Sequence, residues 1–367
     1  MTQLLCVVGA RPNFMKIAPI MAAFAEAGIA AQLLHTGQHY DEAMNDSFFA
    51  DLGIPRPDHH LEVGSASHAV QTAEVMKRFE PVLEKVQPQA VLVVGDVNST
   101  IACALVAAKR GVRVIHVEAG LRSYDRSMPE EINRVLTDQI SDLLFTTERS
   151  ALANLQREGI DAARVQFVGN VMIDTLHRNL ARAVPSSVSL GQTLSQYAVL
   201  TLHRPSNVDD PDTLRALLDV VAEINRSLPV VMPLHPRTRG NIEKFGMTAM
   251  LDGLHILPPI GYLEMLGLMR DAKLVLTDSG GIQEETTALG VPCLTLRENT
   301  ERPITLLEGT NTLVGPDPDA IRKAFREVME GGGKSGRIPE YWDGHAATRI
   351  AQTLKGWLPL QKGTRFA

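Results

Sequence analysis

Residues 91–117 read VLVVGDVNSTIACALVAAKRGVRVIHV, an apolar β-branched run, a segment of helical periodicity and a second apolar run. Strands that are apolar on both faces and alternate with amphipathic helices are typical of a parallel sheet covered by helices on both sides. The stretch therefore predicts a strand at Val91–Val94, a helix at Ser99–Lys109 and a second, parallel strand at Val112–Val117.

The same alternation continues on both sides of this βαβ unit. In the first half of the chain it predicts further elements at Leu4–Val8, Asn13–Ala27, Ala31–His35, Glu42–Leu52, Pro129–Ile140, Leu143–Thr146 and Val165–Val168. It then restarts, with elements at Tyr197–Leu202, Pro211–Arg226, Val230–Leu234, His255–Leu257, Leu263–Arg270, Leu274–Thr277, Ile282–Leu289 and Cys293–Leu296. Because 367 residues exceed one ordinary hydrophobic core, we predict an α/β protein with two Rossmann-like, doubly wound parallel-sheet domains.

The domain boundaries follow from local composition. We expect a first domain at residues 1–170 and a second at residues 171–345. The stretch Ala183–Gln192, with its Pro, Ser and Gly residues, is the most linker-like, and we place the hinge nearby. The amphipathic C-terminal segment, residues 346–367, is predicted to form a helix that packs back onto the first domain.

Composition limits the classes of function. A formal net charge of -6 provides no global attraction for nucleic acid or an anionic membrane, and no apolar run is long enough to span a bilayer. The apolar start at Leu4–Val8 lacks a basic leader and is predicted to be a strand rather than a signal peptide. Three cysteines without CxxC spacing argue against a zinc site and a disulfide framework, so we expect a cytoplasmic protein with no metal.

Polar residues that directly follow predicted strands are the candidate functional residues, because ligands of open α/β sheets bind at the carboxyl ends of the strands. After the first strand, Arg11 and Lys16 accompany a helix N-terminus and are suited to phosphate oxygens; a structural ion pair is the alternative. The glycines of this turn do not follow GxGxxG, so we expect no nicotinamide cofactor. After Val91–Val94, Asp96 is either the N-cap of the next helix or a catalytic carboxylate.

The richest cluster follows Val112–Val117 and contains Glu118, Arg122, Glu130, Glu131 and Arg134. Glu130 and Glu131 suit the positive end of a helix that begins at Pro129. Capping does not explain Glu118, which has Arg122 and Arg134 nearby in the sequence. Carboxylates collected at one edge of a sheet are able to divide the roles of acid and base, and this cluster is predicted to do so.

Two further clusters lie in the second half of the chain. His203 and His235 each follow a strand in neighbouring βα units, and we expect at least one of them to contact a ligand. Ser279, Gly280 and Gly281 precede a helix whose backbone N–H groups are suited to a diphosphate, because glycine permits close approach. Glu284 or Glu285, one turn further on, is placed to receive ribose hydroxyls.

Taken in order, nine segments resemble the non-hydrolysing UDP-N-acetylglucosamine 2-epimerases: GARPNFMK, HTGQHYD, VVGDVNST, HVEAGLRS, MPEEINR, TLHRP, PLHPRTR, TDSGGIQEE and ENTERP. The resemblance implies a fold of the glycosyltransferase-B type, with two domains facing a central cleft. It implies a UDP-sugar substrate and UDP as ligands, no cofactor and a homodimer. It also implies that UDP is eliminated with loss of the C2 proton, leaving a 2-acetamidoglucal, and is then added back with C2 inverted.

The resemblance assigns roles residue by residue. The family's acid and base carboxylates correspond to Asp96, Glu118 and Glu130, with proton transfer shared among them. Its phosphate-side and supporting residues correspond to Arg11, Lys16, Arg134 and His203, of which Lys16 and His203 are predicted to be catalytic. Its nucleotide contacts correspond to His235, Ser279, Gly280, Gly281 and Glu285; the cluster after Val112–Val117 adds Arg122 as a predicted substrate contact.

Alternatives remain for substrate and for class of function. Relatives with similar motifs act on UDP-2,3-diacetamido-2,3-dideoxyglucuronic acid, so the substituents at C3 and C6 of the sugar stay open. A retaining glycosyltransferase of the same fold requires an acceptor groove, which an aromatic content of 5% does not favour. A non-catalytic nucleotide-sugar sensor would lack the carboxylates, and Asp96, Glu118 and Glu130 are all present.

Overall fold

The computed structural model describes residues 3–38, 49 and 51–359, and it divides into two compact units. The first unit comprises Met1–Arg178 and Glu340–Ala367, and the second comprises Asn179–Pro339. The predicted helix Glu42–Leu52 lies mostly outside the described residues, as do His39 and Tyr40 of the HTGQHYD motif.

The first unit alternates strands and helices, as its apolar runs predict. Its elements are β1 (Leu4–Val8), α1 (Arg11–Ala27), β2 (Ala31–His35), β3 (His59–His60), α2 (His68–Val86), β4 (Ala90–Val94), α3 (Asn98–Lys109), β5 (Arg113–Ala119), α4 (Pro129–Ile140), β6 (Leu143–Thr146), α5 (Arg149–Arg157), β7 (Val165–Phe167), α6 (Val171–Asn179) and, after the second unit, α15 (Ala346–Trp357). Every residue of β1 and β4 is buried, which is why these strands are apolar without alternation. Within this unit α15 packs against α1.

The second unit repeats the pattern. Its elements are α7 (Ser186–Leu190), β8 (Ala198–Thr201), α8 (Pro205–Val208), α9 (Pro211–Asn225), β9 (Val230–Pro233), α10 (Pro236–Lys244), β10 (His255–Leu257), α11 (Tyr262–Asp271), β11 (Leu274–Thr277), α12 (Gly280–Leu289), β12 (Cys293–Thr295), α13 (Pro303–Leu307), β13 (Asn311–Leu313) and α14 (Pro318–Gly331). Several helices begin at a proline, whose φ is already helical and whose missing N–H needs no partner in the first turn.

Strand order identifies where a ligand is expected. Among the described residues, the first sheet has the order β3-β2-β1-β4-β5-β6-β7 and the second has the order β10-β9-β8-β11-β12-β13. All described pairings in both sheets are parallel. The chain changes direction across each sheet between β1 and β4, and between β8 and β11, and ligands of doubly wound sheets bind at such switch points.

The segment Ala183–Gln192, the most linker-like stretch by composition, is ordered in the structure. It belongs to the second unit and contains α7, and the Val184 N–H donates to the Leu263 carbonyl of α11 at 3.0 Å. Gly267 permits this contact, because a Cβ there would lie 1.7 Å from the Val184 oxygen. Composition suggested a loop, but packing against α11 orders the segment.

Candidate active site

The switch point of the first sheet collects charged residues from the turns after β1, β4 and β5. Lys16 lies on α1, which directly follows β1, and Glu118 lies near the end of β5. The Lys16 Nζ atom is 2.8 Å from Oε1 and 2.7 Å from Oε2 of Glu118. The two side chains are only 6% and 2% exposed, so the ion pair is buried.

Glu118 has an unusual backbone conformation for a residue inside a strand. Its φ is 74°, and the pairing of β5 with β6 shifts register between Val117 and Ala119. A non-glycine residue in this left-handed region is strained by about 1–3 kcal/mol, and such strain concentrates at functional sites. At this bulge the Glu118 side chain contacts Lys16.

Asp96, in the turn after β4, pairs with Arg134 of α4. The Asp96 Oδ2 atom accepts from Nε of Arg134 at 3.0 Å and lies 2.9 Å from Nη2 of Arg134, so two guanidinium nitrogens contact one carboxylate oxygen. Arg134 is 3% exposed and Asp96 is 19% exposed, so the carboxylate is the accessible member of the pair. Asp96 is not the N-cap of α3, because Val97 occupies that position without a side-chain bond.

The first turn of α4 separates the two adjacent glutamates by environment. Glu131 is buried and accepts from the backbone N–H groups of Ser123 and Tyr124, and it also contacts Arg134. Glu130 is only partly buried. Glu131 therefore holds the loop before α4, whereas Glu130 retains access to solvent.

Arg122 lies in a buried network. Its guanidinium donates to Asp138 at 2.7 Å, to Glu158 and to the Leu121 carbonyl. Burial disfavours the charge, but the bonds and charges of Glu158 and Asp138 outweigh it and raise the pKa of Arg122. The structure thus places the predicted substrate contact Arg122 among internal partners. The side chain of Arg11, the first residue of α1, lies outside the described part of the chain.

In the second unit, His203 follows β8 and is oriented by Asp278, which follows β11. The His203 Nδ1 atom lies 2.7 Å from Oδ1 of Asp278, and the Asp278 Oδ2 atom accepts the backbone N–H groups of His203 and Arg204 at 2.9 Å each. Burial raises the pKa of Asp278. The hydrogen bonds to His203 and Arg204 and the charge of His203 lower it by more, so the pKa of Asp278 lies below its usual value. The ring of His203 is 40% exposed while Nδ1 is engaged, which leaves its outer edge toward solvent.

His235 lies beside this pair at the N-terminus of α10. Its ring centroid is 5.7 Å from that of His203, and its Nδ1 atom accepts the N–H of Arg237 at 3.2 Å. Both predicted histidines therefore lie at the same edge of the second sheet, because β8 and β9 are neighbours.

The start of α12 has the backbone geometry predicted for Ser279, Gly280 and Gly281. Ser279 is the N-cap, and its N–H donates to the Thr277 hydroxyl at 3.0 Å. A Cβ at Gly280 would lie 2.7 Å from Oε1 of Glu301, so the position has no room for a side chain. Unpaired N–H groups and the helix dipole make such an N-terminus suitable for an anion.

Glu284 and Glu285, which the sequence left as alternatives, have different partners. Glu284 pairs with Arg302 at 2.9 Å, whereas Glu285 accepts the Tyr262 hydroxyl at 3.0 Å. Glu285 is 3% exposed, and burial, together with the charge of Glu284, raises its pKa to about 8 even though the Tyr262 bond lowers it. Glu285 is therefore largely protonated at neutral pH.

Sequence reasoning missed the orienting partners. Asp278, Glu301 and Arg302 lie inside quoted motifs, but no role was predicted for them. Asp278 is separated from His203 by 75 positions, and only the pairing of β8 with β11 brings them together. The signal available in the sequence was an acidic residue, Asp278, directly after the apolar strand Leu274–Thr277.

Two kinds of feature are absent from the part of the chain that the structure describes: a metal-binding cluster and a membrane-spanning helix. Among residues 3–38, 49 and 51–359, no cluster of three or more His, Cys, Asp or Glu side chains is arranged to hold a metal ion. None of the helices in the described chain has the length and apolar composition of a membrane span.

Several proteins of known family and structure are similar to this chain. A family described as UDP-N-acetylglucosamine 2-epimerase matches residues 22–355. The UDP-N-acetylglucosamine 2-epimerase of Methanocaldococcus jannaschii is 41% identical over 95% of this chain and 97% of its own. The UDP-2,3-diacetamido-2,3-dideoxy-D-glucuronate 2-epimerase of Pseudomonas aeruginosa is 42% identical over 96% and 99%. A crystal structure of the Methanocaldococcus jannaschii enzyme with UDP-GlcNAc and UDP superposes with a TM-score of 0.90 at 40% identity, covering 96% of this chain and 99% of that one.

Proposed function

Because this chain belongs to the UDP-N-acetylglucosamine 2-epimerase family, we propose that it interconverts UDP-GlcNAc and UDP-ManNAc without net hydrolysis. The C2–H and C1–O bonds break, UDP leaves, and a C1=C2 bond forms in a 2-acetamidoglucal. Addition of UDP and a proton, with the proton delivered to the opposite face of C2, completes the inversion.

The observation that carries the proposal is the pair of charged contacts at the switch point of the first sheet. Lys16 holds Glu118 and Arg134 holds Asp96, so each carboxylate has a defined position. The proton at C2 is weakly acidic, and its removal requires a positioned base together with a departing UDP group. Asp96, Glu118 and Glu130 are proposed to share proton removal and delivery.

The second unit supplies contacts suited to the nucleotide. The N–H groups of Ser279, Gly280 and Gly281 are proposed to bind the diphosphate, supported by His235. The outer edge of His203, fixed by Asp278, is proposed to stabilise charge on the leaving UDP. Glu285, whose pKa burial raises to about 8, is proposed to bind the ribose hydroxyls.

Incubation with UDP-GlcNAc in deuterium oxide tests this function directly. Product formed by elimination should carry deuterium at C2, because a carboxylate that has taken the C2 proton exchanges it with water before re-addition. Added NAD or EDTA should change neither the rate nor the labelling. Retention of the original hydrogen at C2, or a requirement for NAD, would contradict the proposal.

The glucuronate derivative is a second candidate substrate, because the Pseudomonas aeruginosa enzyme is 42% identical to this chain, as similar as the UDP-GlcNAc 2-epimerase of Methanocaldococcus jannaschii at 41%. The same carboxylates would act, because the chemistry at C1 and C2 is unchanged. Parallel incubations with UDP-GlcNAc and UDP-2,3-diacetamido-2,3-dideoxyglucuronic acid, compared by kcat/KM, separate the two candidates.

We further propose that the protein is a homodimer, as its resemblance predicts, and that it is cytoplasmic, as its cysteine usage predicts. An apolar face on α2 and α4 supports this, since Val70, Ile132 and Leu136 are 54%, 43% and 50% exposed. Between the helices lies a groove of about 440 Å³ lined by His68, Ala69, Thr72, Ala73, Met76, Asn98, Pro129, Ile132 and Asn133.

Light scattering tests the dimer with matched variants. Ile132→Glu should give the monomer mass, whereas Leu307→Glu, at an exposed leucine of the second unit, should leave the dimer mass unchanged. A wild-type protein of monomer mass would contradict the proposal.

A further inference from the structure

His116 lies on β5, two residues before Glu118, and it is fully buried. Its two ring nitrogens both have close partners. The Nδ1 atom lies 2.6 Å from Oδ1 of Asp138, and the Nε2 atom lies 2.8 Å from the Gly95 carbonyl oxygen. Neither contact involves a residue to which the resemblance assigns a role.

The partners determine the protons on the ring. A carbonyl oxygen only accepts, so Nε2 carries a proton. The other oxygen of Asp138 accepts from Arg122 at 2.7 Å and from the Gly120 N–H at 3.0 Å, so this carboxyl group is fixed in place. The 2.6 Å contact between Oδ1 and Nδ1 in turn fixes the orientation of the ring.

Asp138 is held from both sides. Its Oδ1 atom contacts His116 and its Oδ2 atom contacts Arg122, which also pairs with Glu158. Burial raises the pKa of Asp138, but the charges and hydrogen bonds of His116 and Arg122 outweigh it, so the pKa lies below its usual value.

The Gly95 carbonyl belongs to the turn that carries Asp96. Gly95 has a φ of 66°, and a Cβ there would lie 2.8 Å from Nζ of Lys16, so the turn lies directly against the Lys16–Glu118 pair. Helix α4 holds this turn at two points. Arg134 binds the Asp96 side chain, and Asp138, one turn further along α4, holds the ring that donates to Gly95.

We propose that His116, held by Asp138, positions the Gly95–Asp96 turn for proton transfer. It is a positioning residue, since its side chain is buried and acts through the Gly95 carbonyl. The role deepens the proposed epimerase function and rests on it, but the bond from Nε2 to the Gly95 carbonyl does not depend on any activity.

Nitrogen NMR of the histidine-labelled wild-type protein tests the protonation. The Nε2 atom of His116 should carry a proton that exchanges slowly with water, because the ring is fully buried and this nitrogen faces a carbonyl oxygen. An unprotonated Nε2 on His116 would overturn the proposal even in a fully active enzyme.

Two amide substitutions separate the two bonds of the ring. His116→Gln places an N–H near the former Nε2 position and retains a donor to Gly95, while His116→Asn retains a donor near the former Nδ1 position, toward Asp138. We expect kcat to fall by about tenfold in His116→Gln and by about 10²-fold in His116→Asn, the usual loss for a misplaced catalytic group. KM should change by less than about threefold in both, because neither substitution removes a contact that binds the substrate.

Thermal unfolding and UDP binding of both variants provide the structural control. Equal losses of kcat in the two variants, or no loss in His116→Asn, would overturn the positioning role. Should neither variant fold, the wild-type spectrum decides, since the Nε2 proton resonance should shift when the UDP-sugar is added, and an unchanged resonance would count against the proposal. Failure of the epimerase proposal itself is recognised separately, by absence of deuterium at C2 with wild-type protein.

Discussion

Replacing Glu118 by Gln changes one oxygen to an amide group without changing the size of the side chain. The substitution removes a carboxylate proposed to transfer the C2 proton. It also replaces the charged partner of the buried Lys16 by a neutral one. We expect kcat to fall by roughly 10²-fold or more, the usual contribution of a general acid or base. Binding of UDP should be unchanged, because the proposed nucleotide contacts lie in the second unit.

The structure also sets the expected loss of stability. Lys16 and Glu118 are 6% and 2% exposed, so solvent screens the pair little. A Gln oxygen still accepts from Nζ but without charge, and charged hydrogen bonds contribute about 1.5–3 kcal/mol. The free energy of unfolding should fall by about that amount, and Lys16→Met in the Glu118→Gln background should recover part of it by removing the unpaired charge.

Turnover of UDP-GlcNAc followed by NMR, UDP calorimetry and urea unfolding are the measurements. Asp174→Asn is the matched control, since Asp174 is a buried carboxylate of the same unit that accepts the N–H groups of Ala346 and Ala347 at 3.1 and 2.7 Å. It should lower stability and leave kcat unchanged. A Glu118→Gln enzyme with wild-type kcat, or a loss matched by Asp174→Asn, would refute the assignment.

Three further predictions follow from the second unit. The raised pKa of Glu285 means that the native state binds its proton more tightly than the unfolded chain, so this group's contribution to stability falls as pH rises from about 4.5 to about 8. Urea unfolding across this window should show that decline in the wild type and lack it in Glu285→Gln. Asp278→Asn should lower kcat by about tenfold or more, because His203 loses its orienting carboxylate, and an unchanged pH–rate profile would speak against this. Gly280→Ala should raise KM for the UDP-sugar by roughly tenfold, because the added Cβ would lie 2.7 Å from Glu301 Oε1 and displace the start of α12; steady-state kinetics with an unchanged KM would show that Glu301 moves aside.

The fold was predictable to an unusual degree because fully buried parallel strands are apolar on both faces. Leu4–Val8, Ala31–His35, Leu143–Thr146, His255–Leu257 and Leu274–Thr277 were predicted with the boundaries that the structure has. The short edge strands β3 and β13 were missed, because two or three partly buried residues leave no clear pattern. Helix α2 was missed as well, since its polar composition obscures its buried stripe.

The candidate site was predictable as a set of residues but not as a set of pairs. Asp96, Glu118 and His203 were indicated by their position directly after strands, since the end of an apolar strand can be recognised in the sequence.

The contacts between these groups depend on strand order and on one backbone conformation. Neither can be read from the local sequence. Glu118 reaches Lys16 across 102 positions because β1, β4 and β5 are adjacent and because a bulge with φ of 74° turns its side chain. His116 acquired its role in the same way, from a carbonyl on the neighbouring strand turn and a carboxylate on α4. Residue identity sets the chemistry that is available, whereas long-range packing sets which charge lies next to which, and the energy of a buried charge is decided by that neighbour.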